Sequence, residues 1–229
     1  MKYDCLIIDD ERELADNTCD YFNLFGVSSR AVYSGADALE FMDENEVSVV
    51  LLDINLGDGS GFEICKNIRK TKDIPIIFIS ARNTDDDKIV ALNIGGDDYI
   101  EKPYSLGVLL AKVKVVLKRF GNSSASREDI YENGRIRIDR VNKMLFVDGQ
   151  EKKLTNMEFS LLNYLVDNRD RLITKTELFD NVWKDKFTSD GTLNVHIRKL
   201  REAIEKDPKN PVLIVTVWKE GYKFISGNA

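Results

Sequence analysis

The stretch Val47-Ser48-Val49-Val50-Leu51-Leu52-Asp53 decides the fold. Five of the six residues before the aspartate are apolar, with Ser48 the single interruption. Side chains along a strand point to opposite faces in turn. An apolar run without alternation therefore predicts a strand covered on both sides, in the middle of a parallel sheet. The run ends in a carboxylate and continues as Ile54-Asn55-Leu56-Gly57-Asp58-Gly59-Ser60-Gly61, a glycine-rich loop. In open α/β sheets the crevice that holds ligands lies outside the carboxyl ends of the strands. A lone aspartate there would mark no more than a turn, where Asp is common. The weight on Asp53 comes from residues at other strand ends.

Upstream, Tyr3 to Ile8 is a similar run and ends in Asp9-Asp10-Glu11. Val27 to Tyr33 supplies another strand. Downstream, Ile74 to Ile79 ends at Ser80, and the short Tyr99-Ile100 leads into Glu101-Lys102-Pro103. Helical spacing fills the gaps. Arg12 to Phe25 carries Leu14, Thr18, Tyr21, Phe22 and Phe25 on one stripe, with Gly26 as its stop. Ser34 caps a helix that turns Ala38, Leu39 and Met42 inward. Gly61 to Lys70 and Thr84 to Gly95 follow, and Ser105 to Arg119 points Val108, Leu109, Val113, Val116 and Leu117 inward. Five β-α units in alternation predict an α/β fold with a five-stranded parallel sheet between helices.

Parallel strands gather Asp9, Asp10, Asp53, Ser80 and Lys102 at one edge of that sheet. Three carboxylates together repel unless a cation joins them. A hard cation with oxygen ligands, such as Mg²⁺, suits the set and commonly works beside phosphate. A carboxylate can attack a phosphoryl group to form an aspartyl phosphate. Lys102 and the cation would neutralise the phosphoryl oxygens, and Ser80 could donate to one of them. The added charge would draw Ser80 toward Asp53 and leave space for an aromatic such as Tyr99.

The 229 residues carry a net charge of −6 and suggest one large or two ordinary domains. The charge is uneven: residues 1–120 hold a net −8 and residues 121–229 a net +2. The acidic half is a poor nucleic-acid binder, while the second half could bind one if its basic residues cluster. No apolar run reaches about 18 residues, so no membrane-spanning helix is expected. The N-terminal residues show no signal-peptide pattern. Cys5, Cys19 and Cys65 are few and far apart, and read as reduced thiols of a cytoplasmic protein.

Residues 121–129 are small and polar and read as a flexible linker. In the second half, Tyr131, Arg135–Asp139 and Lys143–Val147 read as short antiparallel strands, with Asp148-Gly149 as a hairpin turn. Thr155-Asn156-Met157-Glu158 and Thr174-Lys175-Thr176-Glu177 are capping boxes that open helices. A third helix spans Ser189 to Glu205. Leu193, Ile197, Leu200 and Ile204 line one face of it, while Thr192, Asn194, His196, Arg198, Lys199 and Arg201 occupy the other. Leu213 to Ile225 reads as a terminal hairpin turning at Lys219-Glu220-Gly221. A helix-turn-helix followed by a hairpin wing is a DNA-reading arrangement, with the basic helix in the major groove. Basic residues on a helix are by themselves no more than a solvated face. The order of the elements is what points to DNA.

Residues 1–120 resemble the receiver domain of bacterial two-component response regulators. The resemblance rests on Ile8-Asp9-Asp10-Glu11, Leu52-Asp53, Ile79-Ser80-Ala81 and Asp97-Asp98-Tyr99-Ile100-Glu101-Lys102-Pro103-Tyr104. It implies a flavodoxin-like fold with Asp53 as phosphoacceptor. Asp9 and Asp10, with the backbone carbonyl of Asn55, would join Asp53 on Mg²⁺, and Ser80 and Tyr99 would be the switch pair. The Lys102-Pro103 bond is commonly cis in that family. Within a second domain of residues 130–229, residues 130–225 resemble the winged-helix effector domain of the OmpR/PhoB subfamily. The matching runs are Leu154-Thr155, Glu158-Phe159, Leu161-Leu162, Leu178 with Val182-Trp183, Val195 to Arg201, Thr216-Val217 and Gly221 to Phe224. This implies that Arg198, Lys199 and Arg201 face double-stranded DNA and that Thr192 and His196 meet phosphates. It further implies a cognate histidine kinase, a homodimer formed on phosphorylation or on DNA, and RNA polymerase as a partner.

The chain departs from the family pattern in places. Gly57 stands where Pro is usual. Val108 and Asn93 replace acidic residues on the face used for dimerisation, leaving Lys88, Asp98, Lys112 and Arg119 for cross-subunit pairs. Asn194 replaces Asp, Ala203 replaces Lys, and Trp218-Lys219 stands where Arg-Gly is common, so Lys219 or Lys223 would serve as wing phosphate contacts. Two rivals stay open. An Asp-nucleophile phosphatase would use Asp53 and Lys102, but such enzymes place a second Asp two residues on, where this chain has Asn55. A phosphorylation-independent DNA-binding regulator would use the receiver only as a dimerisation module.

Overall fold

Glu46–Asp53, the strand that ends in the key aspartate, lies at the centre of a five-stranded parallel sheet. The computed structural model describes residues 1–81, 84–121, 129–184 and 188–226, and the chain divides into two units, Met1–Ser123 and Ser124–Ala229. The first unit runs β1 (Lys2–Ile8), α1 (Arg12–Leu24), β2 (Ser29–Val32), α2 (Gly35–Glu44), β3 (Glu46–Asp53), β4 (Asn55–Leu56), β5 (Gly59–Ser60), α3 (Gly61–Thr71), β6 (Ile76–Ser80), α4 (Asp85–Ile94), β7 (Asp98–Glu101) and α5 (Leu106–Gly121). The sheet order is β2-β1-β3-β6-β7, and every pairing is parallel.

The unalternated apolar runs are explained by two cores, one on each face of the sheet. Leu51, Ile77 and Ile79 pack with Leu109 and Val113 of α5 and Phe22 of α1. Leu52, Ile8 and Phe78 pack on the opposite face with Met42, Cys65, Ile68 and Ala91 from α2, α3 and α4. Val49 to Leu52 are 0 % exposed, and burying each such side chain is worth about 1.5–3 kcal/mol. Ser34 Oγ and Thr84 Oγ1 each accept from a backbone N–H three residues on, at 3.0 and 3.1 Å, which fixes where α2 and α4 begin.

Three local expectations are corrected. Phe25 lies beyond the end of α1, half exposed, with its ring 4.7 Å from that of Tyr21, so it does not continue the buried stripe. Val108 is only partly buried, at the start of α5. The glycine-rich loop is not featureless: β4 and β5 pair across it as a small hairpin. Gly61 then turns the chain into α3 so close to β3 that an added Cβ would lie 2.0 Å from the carbonyl oxygen of Asp53.

The second unit opens with a four-stranded antiparallel sheet, β8 (Ile130–Asn133), β9 (Ile136–Asp139), β10 (Met144–Val147) and β11 (Gln150–Lys152). Asp148 and Gly149 both adopt positive φ, +51° and +77°, as a two-residue hairpin turn requires. Then come α6 (Asn156–Asp167), β12 (Ile173–Thr174), α7 (Lys175–Leu178) continuing as a π-helical turn at Phe179–Trp183, α8 (Asp190–Ile204), β13 (Ile214–Val217) and β14 (Gly221–Phe224). The full capping box at Thr155 and Glu158 is present. At Thr174 only half of one forms, because the Glu177 carboxylate binds Arg171 and Tyr164 instead. One core joins the helices to both sheets, and the last hairpin pairs with β12 to make the wing. The linker expectation falls largely on residues 122–128, outside the described residues.

Candidate functional site

At the carboxyl edge of the sheet, β1 delivers Asp9, β3 delivers Asp53 and the turn after β7 delivers Lys102. One oxygen of each of Asp9, Asp10 and Asp53 lies within 4.8 Å of the others. Asp9 and Asp53 are buried while Asp10 is exposed. Lys102 Nζ sits 2.5 Å from Asp53 Oδ2, 2.9 Å from Asp9 Oδ2 and 2.7 Å from Glu11 Oε1. The Lys102-Pro103 peptide is cis. Burial raises the Asp9 carboxyl above its ordinary range, and Lys102 opposes this. Burial would lower the Lys102 ammonium, but its hydrogen bonds to Asp53, Asp9 and Glu11 prevail and raise it. Asp53 Oδ1 accepts from the backbone N–H of Asn55 at 2.9 Å, so the loop grips the carboxylate from behind.

The donor set fits a hard divalent cation: three carboxylates close together, one of them open to water. Gly57 contributes room, because a Cβ there would come 3.3 Å from Asp10 Oδ2. The carboxylate of Asp58 accepts from the N–H groups of Gly35 and Ala36 at 3.1 and 3.3 Å. The Gly35 bond leads in holding its pKa below the ordinary value. This ties the loop after Asp53 to the positive end of α2. Sequence spacing gave no sign of that tether.

Ser80 is wholly buried at the end of β6, and Tyr99 is partly buried on the neighbouring strand. The expected dimer charges are corrected. Asp98 and Lys112 pair with each other at 2.5 Å, both buried, and Lys88 meets Glu101 at 3.5 Å. Lys112 lies one helical turn from Leu109 on the inner side of α5, so its charge faces β7. The Arg119 side chain lies outside the described ones.

On α8 the exposed stripe runs through Asn194, Arg198 and Glu202. Arg198 is well exposed and pairs with Glu202 at 2.8 Å. Four expected contacts lie elsewhere. His196 is 0 % exposed, with its ring 5.7 Å from that of Trp183, and so cannot meet a phosphate from there. Thr192 is buried in the first turn, its hydroxyl 3.2 Å from Ser189 Oγ. Lys199 is largely covered and meets Glu158 of α6 at 3.1 Å. Arg201 donates to the carbonyl of Ile214 and to Thr216 Oγ1, at 2.7 to 2.9 Å, and so holds the wing to the helix. The reason is shared. Leu193, Val195, Ile197 and Leu200 are all buried, so α8 is covered over more of its girth than one stripe requires. Lys219 at the wing turn is exposed, and Lys223 is partly so.

Two positioning residues escape sequence reasoning. Tyr222 donates to Asn194 Oδ1 at 2.7 Å, anchoring α8 to β14. Glu205 is buried just past α8 and accepts from the N–H groups of Val212, Leu213 and Ile214 at 2.8 to 3.2 Å. A buried acid that binds backbone amides has no sequence signature.

Comparison with known proteins agrees with both halves. Residues 5–114 match the family "Response regulator receiver domain", and residues 149–224 match "Transcriptional regulatory protein, C terminal". The chain is 39 % identical to the sensory transduction protein RegX3 of Mycobacterium tuberculosis over 220 residues, covering 95 % of this chain and 97 % of that one. It is 37 % identical to the regulatory protein VanR of Enterococcus faecium, over 95 % and 96 % of the two chains. Among solved structures it resembles DrrB, an OmpR/PhoB homologue of Thermotoga maritima, at 29 % identity and a TM-score of 0.53, covering 98 % of this chain and all of that one. Two family matches in this order, with full-length relatives, establish that the chain belongs to the OmpR/PhoB family of two-component response regulators.

Proposed function

We propose that Asp53 is the phosphoacceptor of this transcription regulator and that its phosphorylation controls DNA binding. The observation that carries this is the convergence of Asp53, Asp9, Asp10 and Lys102 at the end of the sheet. A carboxylate oxygen of Asp53 attacks the phosphorus of a phosphohistidine on a partner kinase. The P–N bond breaks as the P–O bond forms, leaving an aspartyl phosphate and the histidine ring, whose departing nitrogen takes up one proton so that the ring ends as neutral imidazole. Asp9, Asp10, Asp53 and the carbonyl of Asn55 would hold Mg²⁺, which when bound neutralises phosphoryl oxygens. Lys102 contributes a second positive charge beside Asp53, and the buried Ser80 hydroxyl is the donor that follows the new charge. Tyr99 on the adjacent strand moves with it. The change biases a population toward a homodimer that binds paired DNA sites and engages RNA polymerase.

In the DNA-binding unit, Arg198 is the exposed basic residue of α8, with Asn194 beside it on the same stripe, and Lys219 and Lys223 supply phosphate contacts from the wing. Among the described residues no helix is long and apolar enough to cross a membrane.

The test is Mg²⁺-dependent labelling of the full chain by a small acyl phosphate, with sedimentation before and after. Label on wild type and none on Asp53→Asn is the expected result, with a rise in mass on labelling. Label persisting on Asp53→Asn would overturn the assignment. The second reading, a phosphorylation-independent regulator, draws on the self-satisfied Asp98–Lys112 pair, which takes two charges out of the expected dimer face. It requires DNA affinity that is equal with and without label.

A further inference from the structure

The loop after Asp53 is anchored at its root and tied once at its tip. At the root, the Asn55 N–H donates to Asp53 Oδ1 at 2.9 Å, and the Gly61 N–H donates to the Ile54 carbonyl at 2.9 Å. Between them β4 and β5 pair as a hairpin, with Leu56 buried and opposite Gly59. Gly57 and Asp58 form the turn. Among the described residues this turn bonds to the rest of its unit through Asp58 alone, whose carboxylate accepts from the Gly35 and Ala36 N–H groups.

Helix α2 has less need of that carboxylate than the loop has. Ser34 already caps it, with Oγ accepting from the Asp37 N–H at 3.0 Å. The turn, by contrast, contains Gly57 and is followed by Gly59, and glycine loses more backbone freedom on ordering than any other residue. Asp58 is what removes that freedom.

What the turn lies against gives the tether its use. Asp10 is the exposed member of the acidic trio, and among the described residues its carboxylate has no hydrogen bond or ion pair. Gly57 stands beside it, since a Cβ added there would lie 3.3 Å from Asp10 Oδ2. The root of the same loop grips Asp53. A cation that gathers ligands from a loop loses affinity for every freedom the loop keeps until it binds.

We infer that Asp58 is a positioning residue of the metal site: by tying the turn to α2 it holds the loop where Asn55 and the flank of Asp10 are ready for Mg²⁺. This role rests on the reading of Asp53 as a phosphoacceptor that works with Mg²⁺. It adds a residue that touches neither the cation nor the phosphoryl group. Asp58 acts on affinity for the cation and leaves the attack of Asp53 on phosphorus unchanged once the cation is bound.

The test titrates Mg²⁺ into the full-length protein while the amide signals of residues 53–61 are followed by NMR. Labelling by a small acyl phosphate is measured over the same Mg²⁺ range. Asp58→Ala is expected to weaken Mg²⁺ binding about fivefold, the size of one hydrogen bond that must be remade on binding. The Mg²⁺ concentration for half-maximal labelling should rise by the same factor, with labelling at saturating Mg²⁺ unchanged. Asp58→Asn keeps an acceptor oxygen for the Gly35 N–H and should stay within about twofold of wild type. Ser34→Ala, which loosens the first turn of α2 without altering charge, should weaken Mg²⁺ binding in the same direction. Equal Mg²⁺ affinity in wild type and Asp58→Ala overturns the inference and leaves Asp53 labelling intact. An Asp58→Asn variant as weak as Asp58→Ala also overturns it, since the carboxylate would then act by charge through space. Wild type that neither binds Mg²⁺ nor takes label overturns the reading of Asp53 itself.

Discussion

Lys102 Nζ lies 2.5 Å from Asp53 Oδ2 and 2.9 Å from Asp9 Oδ2, so a single ammonium is shared between two buried carboxylates and leaves one negative charge uncompensated. A divalent cation would draw on the same two carboxylates. Lys102→Ala is therefore expected to bind Mg²⁺ more tightly than wild type in titration calorimetry. Without the metal the variant should be less stable by ~2 kcal/mol, since removing one partner leaves like charges facing each other. Millimolar Mg²⁺ should recover most of that loss. Equal Mg²⁺ affinity in the two proteins would contradict the competition.

The Asp98–Lys112 pair is buried on both sides. Breaking a buried pair costs about 3–5 kcal/mol, while replacing both partners by neutral groups of similar size is often harmless. Lys112→Met alone should lower the urea midpoint of the receiver strongly. The double variant Asp98→Asn with Lys112→Met should recover much of it. If the effects of the single variants simply add, the two groups are not coupled.

Arg198 and His196 are two residues apart and should behave oppositely. Arg198 is well exposed, so Arg198→Ala should leave stability within about 0.5 kcal/mol and weaken DNA binding. The log–log salt slope should flatten by about one if the contact is to a phosphate. His196 is buried against Trp183, so His196→Ala should cost ~2 kcal/mol of stability through the space it leaves. Any loss of DNA binding in that variant should track unfolding.

Glu205 accepts from three backbone amides at the start of β13. Charge-assisted bonds of this kind are worth about 1.5–3 kcal/mol, and Glu205→Ala would orphan all three amides. A loss of ~2 kcal/mol is expected by thermal melting. Hydrogen exchange should show the amides of residues 212–214 losing protection first.

Asp58 gives the pH dependence. Its folded pKa lies below the ordinary aspartate value of 3.8, chiefly through the Gly35 N–H. The stabilisation is therefore complete above the unfolded value and is lost as pH falls through the folded one. The group is exposed, so the effect is small, about 0.5 kcal/mol at neutral pH. Asp58→Asn should be slightly less stable than wild type at pH 7, and the gap should close in strong acid. A gap of constant size across that range would rule out the charge as its origin.

The parallel sheet was legible because Val49 to Leu52 had to be covered on both faces, and only helices above and below do that. The acidic cluster was legible because strand ends in a parallel sheet share one edge. The DNA face was read less well. Period counting put His196 and Thr192 outside, but α8 is covered by α6, the π-helical turn and the wing together, so its true exposed stripe is narrower. Lys112 was misread for a related reason: a charged residue in an amphipathic helix is taken to face water until its partner, here Asp98 on a neighbouring strand, is known. Asp58 and Glu205 act through backbone amides brought close by the fold, and no local pattern announces such bonds.

Arg201 and Glu205 fasten the wing to the reading helix before any duplex arrives. The entropy of aligning these two elements is thus lost when the domain folds and not again at each encounter. Arrival on DNA is then a matter of diffusion and charge, nearly alike for every sequence. Discrimination between sites falls to residence time, so a good promoter site would be distinguished by how slowly the protein leaves it.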